Sequence, residues 1–156
     1  MSPANFIIPP APAPELAVMI AWALVVPALL FIAVIDCRRL EIDPWLTAIA
    51  VMAGAVLTDP ASSWADGLLG GASVMAFSLV IRSLRSSSMG LGDLYLYGMC
   101  GFLVGISGLA AWAFLHALAA MLLAWRRSRR LGRPLLRTGM PAAVSACPTA
   151  LLVMLL

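Results

Sequence analysis

Uncharged apolar residues fill five stretches of the chain, and the polar residues between them come in short bursts. Leu16 to Ile35 runs 20 residues without a charge, about 30 Å of helix and enough for one crossing of a bilayer. Pro44 to Thr58 and Gly67 to Ile81 are 15 residues each, about 22 Å of helix against a hydrocarbon core of ~30 Å. They predict two short helices that end in the headgroup region or under a thinned bilayer, or that pair as a re-entrant hairpin. Leu94 to Trp125 runs 32 residues with His116 as its one ionisable group. One helix of that length would measure about 48 Å, too long for a single crossing. Gly105-Ile106-Ser107-Gly108 offers a break in its middle. Gly139 to Leu156 supplies a last 18 uncharged residues.

The arginines decide how these stretches are threaded. All ten basic residues are Arg, clustered at Arg38 and Arg39, at Arg82 and Arg85, and from Arg126 to Arg137. If Leu94 to Trp125 crosses twice, all three clusters fall on one side, as the positive-inside rule prefers. The fold class expected is therefore an all-α membrane protein, a polytopic bundle of about six transmembrane helices. The Arg clusters then face the cytoplasm and both termini face outward, with the Arg-free acidic loop Asp59 to Asp66. Gly98, Gly101 and Gly105 form a small-residue face for close packing of the fourth helix on a neighbour.

Composition sharpens this picture. Hydrophobic residues make up 63% and charged residues only 11%, too few to cover a soluble domain with polar groups. Lipid is therefore an expected partner. The net charge of +3 does not indicate nucleic acid, because the arginines sit at the ends of apolar stretches. Cys37, Cys100 and Cys147 are scattered without a C-x-x-C pair, which argues against a zinc site or disulfide framework and leaves Cys100 and Cys147 as small packing residues. Residues 1–14 read as a Pro/Ala-rich tail, followed by an uncleaved first anchor and a single membrane domain over 15–156.

Seven carboxylates remain. Glu15, Asp59 and Asp66 fall on the outer side of the threaded chain, and Asp36, Glu41, Asp43 and Asp93 on the inner side. Any one of them has an ordinary reading as an interfacial group solvated by headgroups. Asp36 ends an apolar helix at the lipid boundary, where a charge is costly without a role or a partner, and Arg38 and Arg39 are candidate partners. Asp93 follows Gly90-Leu91-Gly92 and opens the fourth helix, where it can cap the N-terminus. The two glycines also allow another chain to approach the backbone closely. Two acids brought together at one depth would share a proton, the ionised one activating water and the protonated one polarising a peptide carbonyl. That chemistry requires no metal, serine or cofactor.

Met89-Gly90-Leu91-Gly92-Asp93-Leu94 resembles the G-x-G-D signature of the type IV prepilin peptidases, a branch of the intramembrane aspartyl proteases. Asp36-Cys37-Arg38-Arg39-Leu40-Glu41-Ile42-Asp43-Pro44 is similar to the run that carries the family's other acid. Gly139-Met140-Pro141, with Cys147-Pro148 further on, is similar to its closing segment. The resemblance implies catalytic roles for Asp36 and Asp93, with Gly90, Gly92, Asp43, Pro44 and Tyr95 binding substrate or shaping the site, and no metal or cofactor. Asp43-Pro44 stands where the family usually has Pro-Asn, which makes Asp43 a rival acid. Tyr95 stands where a Lys is common. The implied substrate is a prepilin or pseudopilin, cut after a Gly on the cytoplasmic side of a bacterial inner membrane. The missing cytoplasmic C-x-x-C domain implies the short form associated with Tad-type or conjugative pili. Two rivals stand beside this reading: a small transporter or channel, for which His116 is the one mid-membrane candidate, and a non-catalytic relative acting as a scaffold.

The threading generates a direct expectation. Single cysteines introduced as Arg85→Cys and Arg130→Cys should resist a membrane-impermeant reagent applied from outside, whereas Ser62→Cys should react. Opposite behaviour of the first two would show that Leu94 to Trp125 crosses once.

Overall fold

The computed structural model describes residues 14–39, 42–57, 63–84, 90–132 and 141–156, and among these the regular structure is entirely helical. The helices are α1 (Pro14–Arg39), α2 (Pro44–Leu57), α3 (Ser63–Leu84), α4 (Leu91–Leu131) and α5 (Ala143–Met154). Glu15–Arg38, Trp64–Leu84 and Leu91–Leu131 are long and apolar enough to cross a membrane, while α2 and α5 are shorter apolar helices. Met19, Phe31, Met52, Leu68, Phe77 and Phe114 are each more than half exposed on the outer faces. That surface suits lipid better than water. The tail to residue 13, Glu41, Asp59, Ser62, Arg85, Met89 and the Gly139-Met140 opening lie outside the described residues.

Helix α3 departs from the short helix expected at Gly67 to Ile81. It takes in Asp66 in its first turn and Arg82 in its last, because charged residues at a helix end can reach the headgroups without stopping the helix. Helix α2 does start at Pro44, and it stays short at 14 residues. Proline suits a first helical position, where its missing N–H has no intrahelical partner to lose.

Helix α4 has 41 residues, about 62 Å if straight, but it is not straight. Gly105 adopts φ 66° and ψ 175°, a non-helical conformation that glycine alone tolerates readily. The Tyr97 hydroxyl and His116 Nε2 are 3.3 Å apart across 19 residues of sequence, whereas a straight helix would hold them about 28 Å apart. The helix therefore turns back at Gly105, and its second limb packs along its first. This agrees with the break anticipated at Gly105 to Gly108.

Two contacts secure the turn. Ser107 Oγ donates to Asp66 Oδ2 at 2.9 Å, and any Cβ at Gly105 would collide with the Asp66 carboxylate. Asp66 is thus a structural group of the helix reversal, not the solvated loop carboxylate expected of it. The partner of the small-residue face is α3. A Cβ on Gly101 would meet the Gly70 carbonyl oxygen at 2.8 Å, and one on Gly71 would meet the Gly98 carbonyl oxygen at 3.1 Å. With side chains absent the two backbones come close, which is how helices associate in lipid.

Helix α5 closes the bundle against α1 and α4. Trp112 Nε1 donates to the Ala146 carbonyl at 3.2 Å, and the buried Cys100 and Cys147 thiols of α4 and α5 lie side by side. Both cysteines pack in the core as expected, but as neighbours.

Gly105→Ala should be costly, since the backbone conformation alone accounts for about 1–3 kcal/mol and the new methyl would displace Asp66. A lower melting temperature in detergent checks this, with Gly108→Ala as the milder control. Equal melting temperatures for Gly105→Ala and wild type would disprove the role given to the turn.

Candidate active site

Three elements converge at the end of the bundle opposite the Gly105 turn. Asp36 lies in the last turn of α1 and is only 3% exposed. A carboxyl so deeply buried needs polar partners, and it accepts the Ala143 N–H at 2.7 Å. That donor is one of the first backbone amides of α5, which have no carbonyl to bind within their own helix. The bond thus satisfies both groups, and Asp36 caps α5 from a distance.

Asp93 lies in the first turn of α4, and its Oδ2 accepts the Gly90 N–H at 3.0 Å. This realises the capping role that its position suggests. Its charge also acts on Asp36 across the space between α1 and α4. Asp36 at the end of α1 and Asp93 at the start of α4 thus lie towards the same end of the bundle. One oxygen of each accepts a backbone amide N–H.

The remaining candidates fall around this pair. Asp43 precedes α2 and turns its carboxylate onto that helix, accepting the Trp45 N–H at 2.9 Å. Its carbonyl accepts the Thr47 N–H at 3.2 Å and the Thr47 hydroxyl at 3.0 Å. Gly92 packs on Ile42, whose Cβ would lie 3.3 Å from an added Cβ, so the approach that this glycine permits is taken by the chain's own α1–α2 connection. Among the described residues, an added Cβ at Gly90 would meet Asp93 Oδ2 at 3.6 Å and Gly92 N at 3.9 Å. Pro44 and Tyr95 line one apolar groove of about 390 Å³ between α2 and α4, with Thr47, Val51 and Met52.

Sequence reasoning missed Tyr97. It stands one helical turn after Asp93, and its hydroxyl is within electrostatic reach of Asp93, Cys100 and Asp36. The same hydroxyl meets His116 Nε2. His116 stacks on Trp112 with ring centroids 5.4 Å apart and planes 9° apart, and Trp112 meets Tyr97 edge-on at 6.1 Å. His116 Nδ1 is buried without a hydrogen-bond partner in the described structure, although the Ser145 backbone lies near the ring. The available signal was a phenol four residues after Asp93 in an otherwise apolar helix, on the same face as the acid.

Comparison with known proteins bears on this arrangement. A prepilin leader peptidase/N-methyltransferase of Bacillus subtilis (strain 168) is 36% identical over 89 residues, covering 53% of this chain and 36% of that protein. The chain thus spans little more than a third of that relative's length. No solved structure matches the chain. The profile of the type IV leader peptidase family matches residues 23–125. That segment takes in Asp36, the α2 groove, Asp93, Tyr97 and His116, and with two thirds of its length matched the chain belongs to the type IV leader peptidase family.

Proposed function

We propose that the chain is an intramembrane aspartyl endopeptidase that cleaves the leader from a type IV prepilin or pseudopilin. The observation that carries the reading is the placement of Asp36, buried in the last turn of α1, and Asp93, in the first turn of α4 behind Gly90 and Gly92, within the segment that matches the leader peptidase family. In the proposed mechanism substrate binding closes the two carboxyls onto one catalytic water, where they share a single proton. The ionised partner takes a proton from water as that water attacks the scissile carbonyl, and the protonated partner hydrogen-bonds the developing oxyanion. The tetrahedral intermediate then breaks its C–N bond as the proton taken from water passes to the leaving amine, which becomes the new N-terminus. The Ala143 and Gly90 amides hold the carboxyls in orientation, so little reorganisation is needed when the reaction begins.

The apolar groove of Pro44 and Tyr95 runs between α2 and the first limb of α4, the limb that carries Asp93. It takes the start of the substrate's hydrophobic segment, with the bond after the leader Gly lying over the dyad. In the proposed threading the six helical rods, counting both limbs of α4, all cross the bacterial inner membrane. The dyad then faces the cytoplasm together with the three Arg clusters, and both termini lie outside. Tyr97, braced by His116, packs beside the dyad as a positioning group.

Asp36→Asn and Asp93→Asn should each lower cleavage of a prepilin by about 10³-fold or more, since each removes a group that must gain or lose a proton. Asn can still accept from Ala143 or Gly90, so melting temperatures should stay near wild type. The double variant should be no worse than either single one, because the pair acts as a unit. Asp43→Asn should keep most of its activity, with a small loss of α2 stability. Dead Asp43→Asn beside active Asp36→Asn would transfer the role to Asp43, and normal cleavage by all of these variants would show that the chain is not an aspartyl protease.

An acid dyad works without a metal ion, so EDTA should leave cleavage intact. Activity lost in the chelator and restored by zinc would contradict the mechanism.

A further inference from the structure

A second concavity lies between the end of α1, the end of α4 and the start of α5. It has a volume of about 470 Å³ and is lined by Cys37 of α1, by Leu123, Arg126, Arg127 and Arg130 of α4, and by Pro141 and Val144 at the start of α5. Leu123, Arg126, Arg127 and Arg130 follow one another at helical spacings of three, one and three, so they form a single stripe. The stripe is apolar towards the bundle and basic towards its end.

Three guanidiniums on one helical face repel one another. No carboxylate occurs anywhere between Ile106 and Leu131 to offset them. The neighbouring acid, Asp36, is turned into the core against Ala143. Arg129 is on a different face, its guanidinium 4.3 Å from the Trp125 ring centroid, and a Trp next to an Arg run marks the depth of lipid headgroups. The concavity therefore joins apolar walls on its membrane side to a three-Arg rim at headgroup depth.

We propose that this concavity binds the phosphate headgroup of an anionic membrane lipid, with Arg126, Arg127 and Arg130 holding the phosphate and Leu123 and Val144 the start of an acyl chain. Guanidinium forks match phosphate oxygens in geometry, and basic pockets between membrane helices are suited to such headgroups. The inference does not depend on the peptidase reading.

Cys37 is exposed and lines the site, while Cys100 and Cys147 are buried. Its reaction with an uncharged maleimide therefore reports occupancy. The full chain would be reconstituted in nanodiscs of phosphatidylcholine, alone or with about one third phosphatidylglycerol, and the labelling rates compared. Phosphatidylglycerol should slow labelling by about fivefold or more, in keeping with roughly fivefold in affinity for each guanidinium at an anionic surface. The slowing should disappear in the R126Q/R127Q/R130Q variant and persist in part in R126K/R127K/R130K. If the triple Gln variant does not reconstitute, Arg130→Gln carries the same comparison.

Unchanged labelling of the wild type in phosphatidylglycerol would overturn the proposal. So would slowing that survives undiminished in the Gln variants, which would report only the general surface potential. Equal protection by inorganic phosphate in phosphatidylcholine would assign the site to a free anion. Protection there by a soluble acidic peptide, with none from phosphatidylglycerol, would assign it to a protein ligand.

Discussion

A helix that stops inside or beside a bilayer leaves backbone groups that lipid cannot solvate, and the way this chain reverses at Gly105 governs the rest of its architecture. The turn uses a residue without a side chain, because Asp66 occupies the space a Cβ would need and accepts the Ser107 hydroxyl. The reversal makes two antiparallel limbs out of α4. One presents its glycine face to Gly70 and Gly71 of α3, and the other presents Trp112 to α5. Without it Tyr97 and His116 could not meet, and the Arg126 to Arg130 segment could not share a wall with Cys37.

Much of this was legible in the sequence because it is written locally. Length and hydropathy gave the helices, Pro44 marked where α2 begins, and Gly105 to Gly108 marked the break. The spacing of Gly98, Gly101 and Gly105 gave a packing face before its partner was known. The extent of α3 was less legible, since Asp66 and Arg82 looked like boundaries and are instead terminal turns of the helix. Depth in the membrane, not the mere presence of charge, sets where such a helix stops.

The unread parts are all contacts between residues far apart in sequence. Nothing near Asp36 announces that its carboxyl will meet the Ala143 amide, 107 residues away. Nothing around Cys100 names Cys147 as its neighbour, and Tyr97 gained its place only once His116 was folded back onto it. For the two acids, a structural role and the proposed catalytic one are compatible. Each carboxyl satisfies a helix N-terminus with one oxygen, so a stabilising contact also fixes the orientation of the group proposed to react.

The bond between Asp36 and Ala143 separates two boundaries that are easily taken for one. The segment by which the chain's ancestry is recognised ends at residue 125, yet the first acid of the site is held by the first turn of α5, which lies beyond it. A fragment cut to the recognisable segment would keep both acids and the glycine signature. It would leave Asp36 facing the gap vacated by α5, without its amide and newly open to lipid. Kinship and mechanical completeness thus have different borders in this chain, and α5, which contributes no acid of its own, belongs to the smallest piece able to hold the pair in place.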